Sequence, residues 1–339
     1  MTKDSLLVVS PNWLGDAVMA LPGLRRLRRE RPDSSICIFC RPGLASFWGA
    51  VSSVDSVVAF PKGEMLAAAR RLRSFRFARA FLLPNSIRSA LVVRLSGIPR
   101  RRIRGTTRSV ARRILVGEAV RFSPAEAKMH QALEYAKILC GSPECDLRGD
   151  CGFSPPAAPD LLERLGIAPA AASGVPLVGL VPGAARGPSK RWPGFADAAK
   201  IIRRELPAVR FAVFGGRGEE RTCADLASAL GAPDACGRTS LAEFAAALAF
   251  CDCVVCNDSG GMHLAAAAGV PVVAVFGKTD PDKTGPVGRA ATVVRAEGVR
   301  VSRAIARDDP EAVAALASVS PERVAEAVLR ALAGEGARR

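Results

Sequence analysis

At 339 residues the chain is long enough for two domains of ordinary size, and 49% hydrophobic with 24% charged residues is a globular profile, not a disordered one. A formal net charge of +16 suits an anionic partner, but with 5% aromatic residues and a single tyrosine the chain has few stacking platforms for single-stranded nucleic acid. No apolar run reaches the ~18 residues of a membrane-crossing helix, and the first residues lack the apolar core of a secretory signal, so the expected location is cytoplasmic.

In such a compartment the ten cysteines are expected as thiols, not disulfides. Cys37 with Cys40 and Cys253 with Cys256 have CxxC spacing, but both pairs lie in strand-like runs where side chains three apart point to opposite faces. They read as small buried hydrophobes rather than zinc ligands.

The first strand is expected over residues 6–10. A loop from Pro11 to Asp16 follows, then a helix over 17–31 with apolar positions at Val18, Leu21, Leu24 and Leu27, ended by Pro32. Strands over 35–39, 54–60 and 77–83 alternate with helices over 44–51, 64–75 and 87–96. This alternation implies a parallel sheet with right-handed crossovers. The segment after it is basic and irregular, with Arg100, Arg101, Arg102, Arg104, Arg108, Arg112 and Arg113 crowded together. A helix over 128–140 contains His130. Residues 152–174, rich in Pro and Ala, read as a linker carrying a short helix over 160–165.

A second alternation follows. Strands are expected over 177–181, 209–214, 254–256 and 272–276, with a weak last strand over 292–295. Helices are expected over 194–206, up to residue 230, over 241–250 and 262–268, and over 310–316 and 321–332. The chain therefore reads as two Rossmann-like doubly wound α/β domains, residues 1–170 and 171–339, facing a cleft with ligands at the carboxyl ends of the strands.

The stretch VVCNDSGGMHLAAAAGVPVVAVFG packs its polar groups into one turn between apolar strands. Asp258 or Ser259 can cap the helix that starts near Gly260, and the first-turn N–H groups then form a seat for a phosphate. His263 falls in that first turn, where the helix dipole favours the neutral imidazole. Lys190, in the loop after the 177–181 strand, and Glu219, at the Gly-rich turn after the 209–214 strand, share the same edge. A lysine and a helix N-terminus neutralise a pyrophosphate, and a carboxylate at a Gly-rich turn suits a ribose diol. Taken singly, Lys190 is a solvated charge and Glu219 a helix N-terminal acid. Asp280 and Asp282 resemble a DxD metal motif, but Lys278 and Lys283 flank them and a surface turn is the preferred reading. Asp16, the only acid in its loop, is either a helix-dipole acid or a general base. Neither GxGxxG nor a Walker sequence occurs.

PNWLGDAVMALPGL, PGAARGPSKRWP, FGGRGEE and NDSGGMHLAAAAGVPVVAVFGKTDP, supported by LLPNSIRSAL, GIPRRRIRG and KMHQALEY, resemble the heptosyltransferases of lipopolysaccharide core synthesis, glycosyltransferase family nine. The resemblance runs from about residue 6 to 286 and implies a GT-B fold. It implies transfer of heptose from ADP-heptose to the lipopolysaccharide inner core, with inversion and with neither metal nor cofactor. It makes Asp16 the catalytic base, Lys190 the holder of the diphosphate, Glu219 the ribose ligand, and Asp258, Ser259, Gly260 and His263 the lining of the donor pocket. Arg88, Arg102, Arg104 and Arg108 would meet the anionic acceptor. The implied location is cytoplasmic, with peripheral contact on the inner face of the cytoplasmic membrane and no nucleic-acid partner. Another core-sugar transferase of the same family is the nearest alternative. A non-catalytic binder of anionic glycolipid or nucleic acid is an alternative of a different class, resting on the net charge.

Overall fold

A computed structural model describes residues 4–107, 109–168, 174–288, 290–302 and 305–336. Its contacts divide the chain into two compact units, Met1–Cys151 and Gly152–Arg339.

The first unit runs β1 (Ser5–Val9), α1 (Leu14–Met19), α2 (Leu21–Glu30), β2 (Ser35–Cys40), α3 (Ala45–Gly49), β3 (Ser56–Ala59), α4 (Met65–Arg73), β4 (Arg79–Leu82), α5 (Ile87–Leu95), β5 (Ile103–Thr106), α6 (Val110–Leu115), β6 (Glu118–Val120) and α7 (Gln131–Cys140). Its six strands form one parallel sheet in the order β3-β2-β1-β4-β5-β6. Central β1 pairs on both sides, Leu7 lying opposite Cys37 of β2 and Ala80 of β4. A strand covered on both faces carries a continuous apolar run, and Leu6, Leu7, Val8 and Val9 are all buried.

The second unit runs α8 (Leu161–Leu165), β7 (Leu177–Val181), α9 (Phe195–Glu205), β8 (Arg210–Val213), α10 (Glu220–Leu230), α11 (Leu241–Ala249), β9 (Cys253–Asn257), α12 (Gly260–Ala267), β10 (Val272–Phe276), α13 (Pro281–Thr284), β11 (Ala291–Arg295), α14 (Pro310–Ala317) and α15 (Pro321–Gly336). Its sheet is also parallel, in the order β11-β10-β9-β7-β8. One core gathers Val178, Leu180, Phe211, Val255 and Val275 from the sheet, and Trp192, Phe195 and Ile202 from the chain around α9. The α/β class and the two doubly wound sheets match the sequence reading.

Three details differ from it. The helix expected over 17–31 is two helices meeting at Ala20, with Pro22 in the first turn of α2, where its missing N–H costs no intrahelical bond. The irregular basic segment contains two short strands, β5 and β6; Ile103, Gly105, Thr106 and Val120 are buried, with Arg102 and Arg121 exposed beside them. Residues 152–168, placed with the first domain on composition, pack with the second unit. There Arg164 pairs with Glu243 at 2.8 Å and the Arg238 guanidinium donates to the Arg164 carbonyl.

All ten cysteines are free thiols. Cys37, Cys40, Cys253 and Cys256 are buried in β2 and β9, and burial pushes the Cys40 thiol up to about 12, so it stays protonated and behaves as a hydrophobe. Among the described residues no helix is long and apolar enough to cross a membrane.

Candidate active site

In the second unit the site is built around the end of β9. Asn257 is 0% exposed, yet both ends of its amide are bonded. Its Oδ1 accepts from the Trp192 backbone N–H at 3.0 Å and its Nδ2 donates to the Pro182 carbonyl at 2.7 Å. These two bonds tie both ends of the loop after β7 to the tip of β9. The loop ends in a 3₁₀ turn, Pro188–Lys190, which brings Lys190 Nζ to 2.6 Å from Asp258 Oδ2. Both side chains are largely buried, at 14% and 9% exposure, where a charge needs a partner.

Neither Asp258 nor Ser259 caps α12 as expected. Asp258 is committed to Lys190. Ser259 occupies the N-cap position in an extended conformation, but its hydroxyl makes no capping bond, and among the described residues this buried oxygen has no partner. The first-turn amides of α12 are thus left without a side-chain cap, the arrangement that favours an anion over the helix N-terminus. A Cβ added to Gly261 would sit 2.8 Å from Val181 Cγ1, so only glycine lets the start of α12 lie on β7. His263, 3% exposed, closes that turn.

Glu219 belongs to the same edge. Its Oε2 accepts from the Gly216 N–H at 2.8 Å, and Gly183, two residues past β7, packs against the carboxyl so closely that a Cβ there would be 2.2 Å from it. Burial raises the Glu219 pKa above the usual carboxylate value, against the opposing pull of the Gly216 N–H and of Arg191. Lys190, Glu219, Asp258 and Ser259 therefore stand on the loops that leave three adjacent strands, β7, β8 and β9, at the carboxyl edge of the sheet. Asp280 accepts from the Asp282 backbone N–H and caps α13, the surface-turn arrangement preferred on sequence.

In the first unit Asp16 lies in the first turn of α1, directly after β1. Its Oδ1 accepts from the Tyr135 hydroxyl at 3.1 Å, and the Tyr135 oxygen in turn accepts from Gln131 Nε2 at 2.9 Å. The contact depends on α7 lying close on α2. A Cβ on Gly23 would come within 2.7 Å of Ala136 Cα, so glycine permits the approach that brings Tyr135 to Asp16. Sequence reasoning missed this residue, although it is the only tyrosine and falls inside KMHQALEY.

Of the four arginines assigned to the acceptor, the three that are described do not all stand on one edge of the sheet. Arg88 is exposed at the start of α5, just past the carboxyl end of β4, and so on the same edge of the sheet as Asp16. Arg102 precedes β5 and Arg104 is its second residue, which puts both toward the amino edge of a parallel sheet, the edge away from Asp16. Arg104 is also fully engaged: it pairs with Glu118 and donates to the carbonyls of Ile138 and Lys137 at 2.7 and 3.1 Å, satisfying the C-terminal end of α7. Arg102 and Arg104 thus stand on the opposite edge of the sheet from Asp16 and Arg88. Arg108 lies outside the described residues.

The profile of glycosyltransferase family 9 (heptosyltransferase) matches residues 65–311. Lipopolysaccharide heptosyltransferase 2 of Escherichia coli (strain K12) is 31% identical over 317 residues, covering 86% of this chain and 87% of the relative. Lipooligosaccharide heptosyltransferase 2 of Haemophilus influenzae is 29% identical over 311 residues, covering 86% and 88%. Among solved structures, that of E. coli ADP-heptose lps heptosyltransferase II superposes with a TM-score of 0.80 at 26% identity, covering 98% of this chain and 99% of that one.

Proposed function

The chain belongs to glycosyltransferase family 9, and from that membership we propose that it moves heptose from ADP-heptose onto the inner core of lipopolysaccharide, with inversion at the anomeric carbon. The observation that carries this reading is the meeting of Lys190, Glu219 and the uncapped start of α12 on neighbouring strand ends. A cation, a diol ligand and a row of free amides are what a nucleoside diphosphate requires. The heptose and the lipopolysaccharide come from the relatives, which are heptosyltransferases of lipopolysaccharide or lipooligosaccharide.

In the proposed reaction the Asp16 carboxylate takes the proton of an acceptor hydroxyl as that oxygen bonds to the anomeric carbon of the donor. The bond from that carbon to the diphosphate breaks at the same time and ADP departs with the electron pair. The growing charge on the diphosphate is met by Lys190 and the first-turn amides of α12, groups already in place before the reaction. Glu219 holds the ribose, and Asp258, Ser259, Gly260 and His263 line the donor pocket. Tyr135 keeps the Asp16 carboxylate in one orientation. Arg88 is proposed to meet a negative group of the acceptor. Because that acceptor is part of a glycolipid, the enzyme is proposed to act in the cytoplasm while in peripheral contact with the inner face of the membrane.

The test is a comparison of ADP, UDP and GDP as stabilising ligands in thermal unfolding, followed by turnover of ADP-heptose. A ligand that binds only the folded state raises the melting temperature, and ADP is expected to do so most. Equal stabilisation by all three diphosphates sinks the assignment of the donor.

A further inference from the structure

The helix α6 is built inside out. Val110 and Ile114 are 73% and 68% exposed, whereas Arg112 is 1% exposed and among the largest fully buried side chains of the chain. At 3.6 residues per turn Val110 and Ile114 lie within about 40° of each other and Arg112 lies on the opposite side. A surface helix of a water-facing protein has the reverse arrangement. The inward face is held by Leu115, which packs against the core, and by hydrogen bonds: Arg112 Nε donates to the Thr106 carbonyl at 2.5 Å and its Nη1 to the Ser86 carbonyl. Burial lowers the Arg112 pKa to about 10, which leaves it charged at neutral pH.

The exposed apolar pair stands in a basic field. Arg113 is exposed on the same helix, and Arg100 reaches it, donating to the Arg113 carbonyl at 3.0 Å. Arg101, Arg102 and Arg121 are exposed nearby in the chain. A cavity of about 700 Å³ beside α6 is lined by Arg100, Arg113, Arg121, Thr107 and Phe122, with no acidic side chain in its wall. The one carboxylate between residues 100 and 121, Glu118, is occupied by Arg79 and Arg104.

We infer that α6 is a membrane-docking element that lays Val110 and Ile114 at the acyl boundary of an anionic bilayer while the surrounding arginines meet lipid phosphates. This gives the peripheral contact proposed above a named surface. Exposed aliphatic side chains on a helix with arginines beside them, here Arg100, Arg113 and Arg121, are the pattern of an interfacial helix. A second copy of the same face is disfavoured because it would set arginine against arginine. Nucleic acid is disfavoured because the most exposed side chains of α6 are aliphatic and offer no ring on which a base can stack.

The experiment is flotation of the full chain with vesicles of phosphatidylcholine alone, or of phosphatidylcholine and phosphatidylglycerol in equal parts. Binding is expected only to the anionic vesicles and should weaken with added salt. Each arginine near an anionic surface multiplies the partition coefficient by about five, so Arg113→Glu should lower it at least that much. The double variant Val110→Ser with Ile114→Ser should lose binding and keep its melting temperature, its stabilisation by ADP and its turnover of a lipid-free acceptor. Ile114→Trp provides an independent readout: relative to the parent, its added fluorescence should move to shorter wavelength with anionic vesicles. The inference is overturned if the parent fails to float, if it floats equally with neutral vesicles, or if the serine variant floats as well as the parent. It is equally overturned if the serine changes abolish self-association while leaving vesicle binding intact. Failed flotation with intact turnover sinks the docking surface alone, and flotation without turnover sinks the catalytic reading alone.

Discussion

The Tyr135 hydroxyl donates to Asp16 Oδ1 across 3.1 Å, joining residues 119 apart in the chain. Tyr135 is 5% exposed, and burial, reinforced by the neighbouring Asp16 charge, raises its pKa well above the usual phenol value. It therefore remains a donor at every pH at which the enzyme works. Glu134 of the same helix adds to that effect, while Gln131 opposes it.

Tyr135→Phe keeps the ring and removes this bond. A loosened general base costs rate more than binding, so turnover is expected to fall by about tenfold or more with the KM for ADP-heptose unchanged. Losing a donor to the charged form raises a carboxylate pKa, and the acid limb of the pH–rate profile should move upward. In an Asp16→Asn background the same change should have no further effect. An equal loss in both backgrounds marks Tyr135 as merely structural.

Asp16→Asn preserves shape and most hydrogen bonding but removes the base. The variant is expected to fold, to be stabilised by ADP like the parent, and to transfer sugar at least about a hundredfold more slowly. Normal turnover in single-turnover assays would leave Asp16 as an acid that complements the dipole of α1 and nothing more.

Glu219 makes donor binding depend on pH. Ribose hydroxyls donate to its ionised form, and its pKa is raised by burial. ADP affinity should therefore fall as pH drops through that raised value, and Glu219→Gln should bind more weakly with a flat profile across the same window. The sign for stability is the opposite. The fold favours protonated Glu219, so its contribution is complete below the unfolded pKa and lost as pH rises through the folded one. Glu243, held down to about 2 chiefly by its bond to Arg164, contributes in the other sense: its stabilisation is present above the unfolded pKa and lost as pH falls toward about 2. Calorimetric titration of ADP across pH, for parent and variant, checks the donor side.

Arg88 and Arg104 should separate by phenotype. Arg88→Glu is expected to raise the acceptor KM, to make it less sensitive to salt, and to leave ADP binding and melting temperature alone. Arg104→Ala removes charge-assisted bonds worth roughly 2 kcal/mol and should lower the melting temperature without a specific effect on acceptor use. The reverse pattern would return the acceptor to the amino edge of the sheet.

Much of the second unit was legible because its signals are local. Five-residue apolar runs, a polar turn between two of them and a glycine after an alanine-rich helix each report on adjacent residues. Lys190, Glu219 and Asp258 could be grouped because each follows a strand, and in a parallel sheet all such loops emerge at one edge. The same rule could not be applied to Arg102 and Arg104 because β5 was not recognised. A strand of four residues, IRGT, set among arginines has no periodicity to detect, and without the strand the two sides of the sheet cannot be told apart. The pairing of Asp258 with Lys190 rather than with the start of α12, and that of Asp16 with Tyr135, are long-range choices that no local pattern encodes.

Asn257 ties the beginning and end of the loop after β7 to one buried amide, so that loop is ordered when the protein folds rather than when the donor arrives. Binding to a segment that must first be ordered carries a large negative heat-capacity change and an adverse entropy, whereas a segment already closed contributes little to either. The heat of ADP binding should accordingly vary only weakly with temperature, so that a plot of the logarithm of the donor affinity against reciprocal temperature stays close to a straight line.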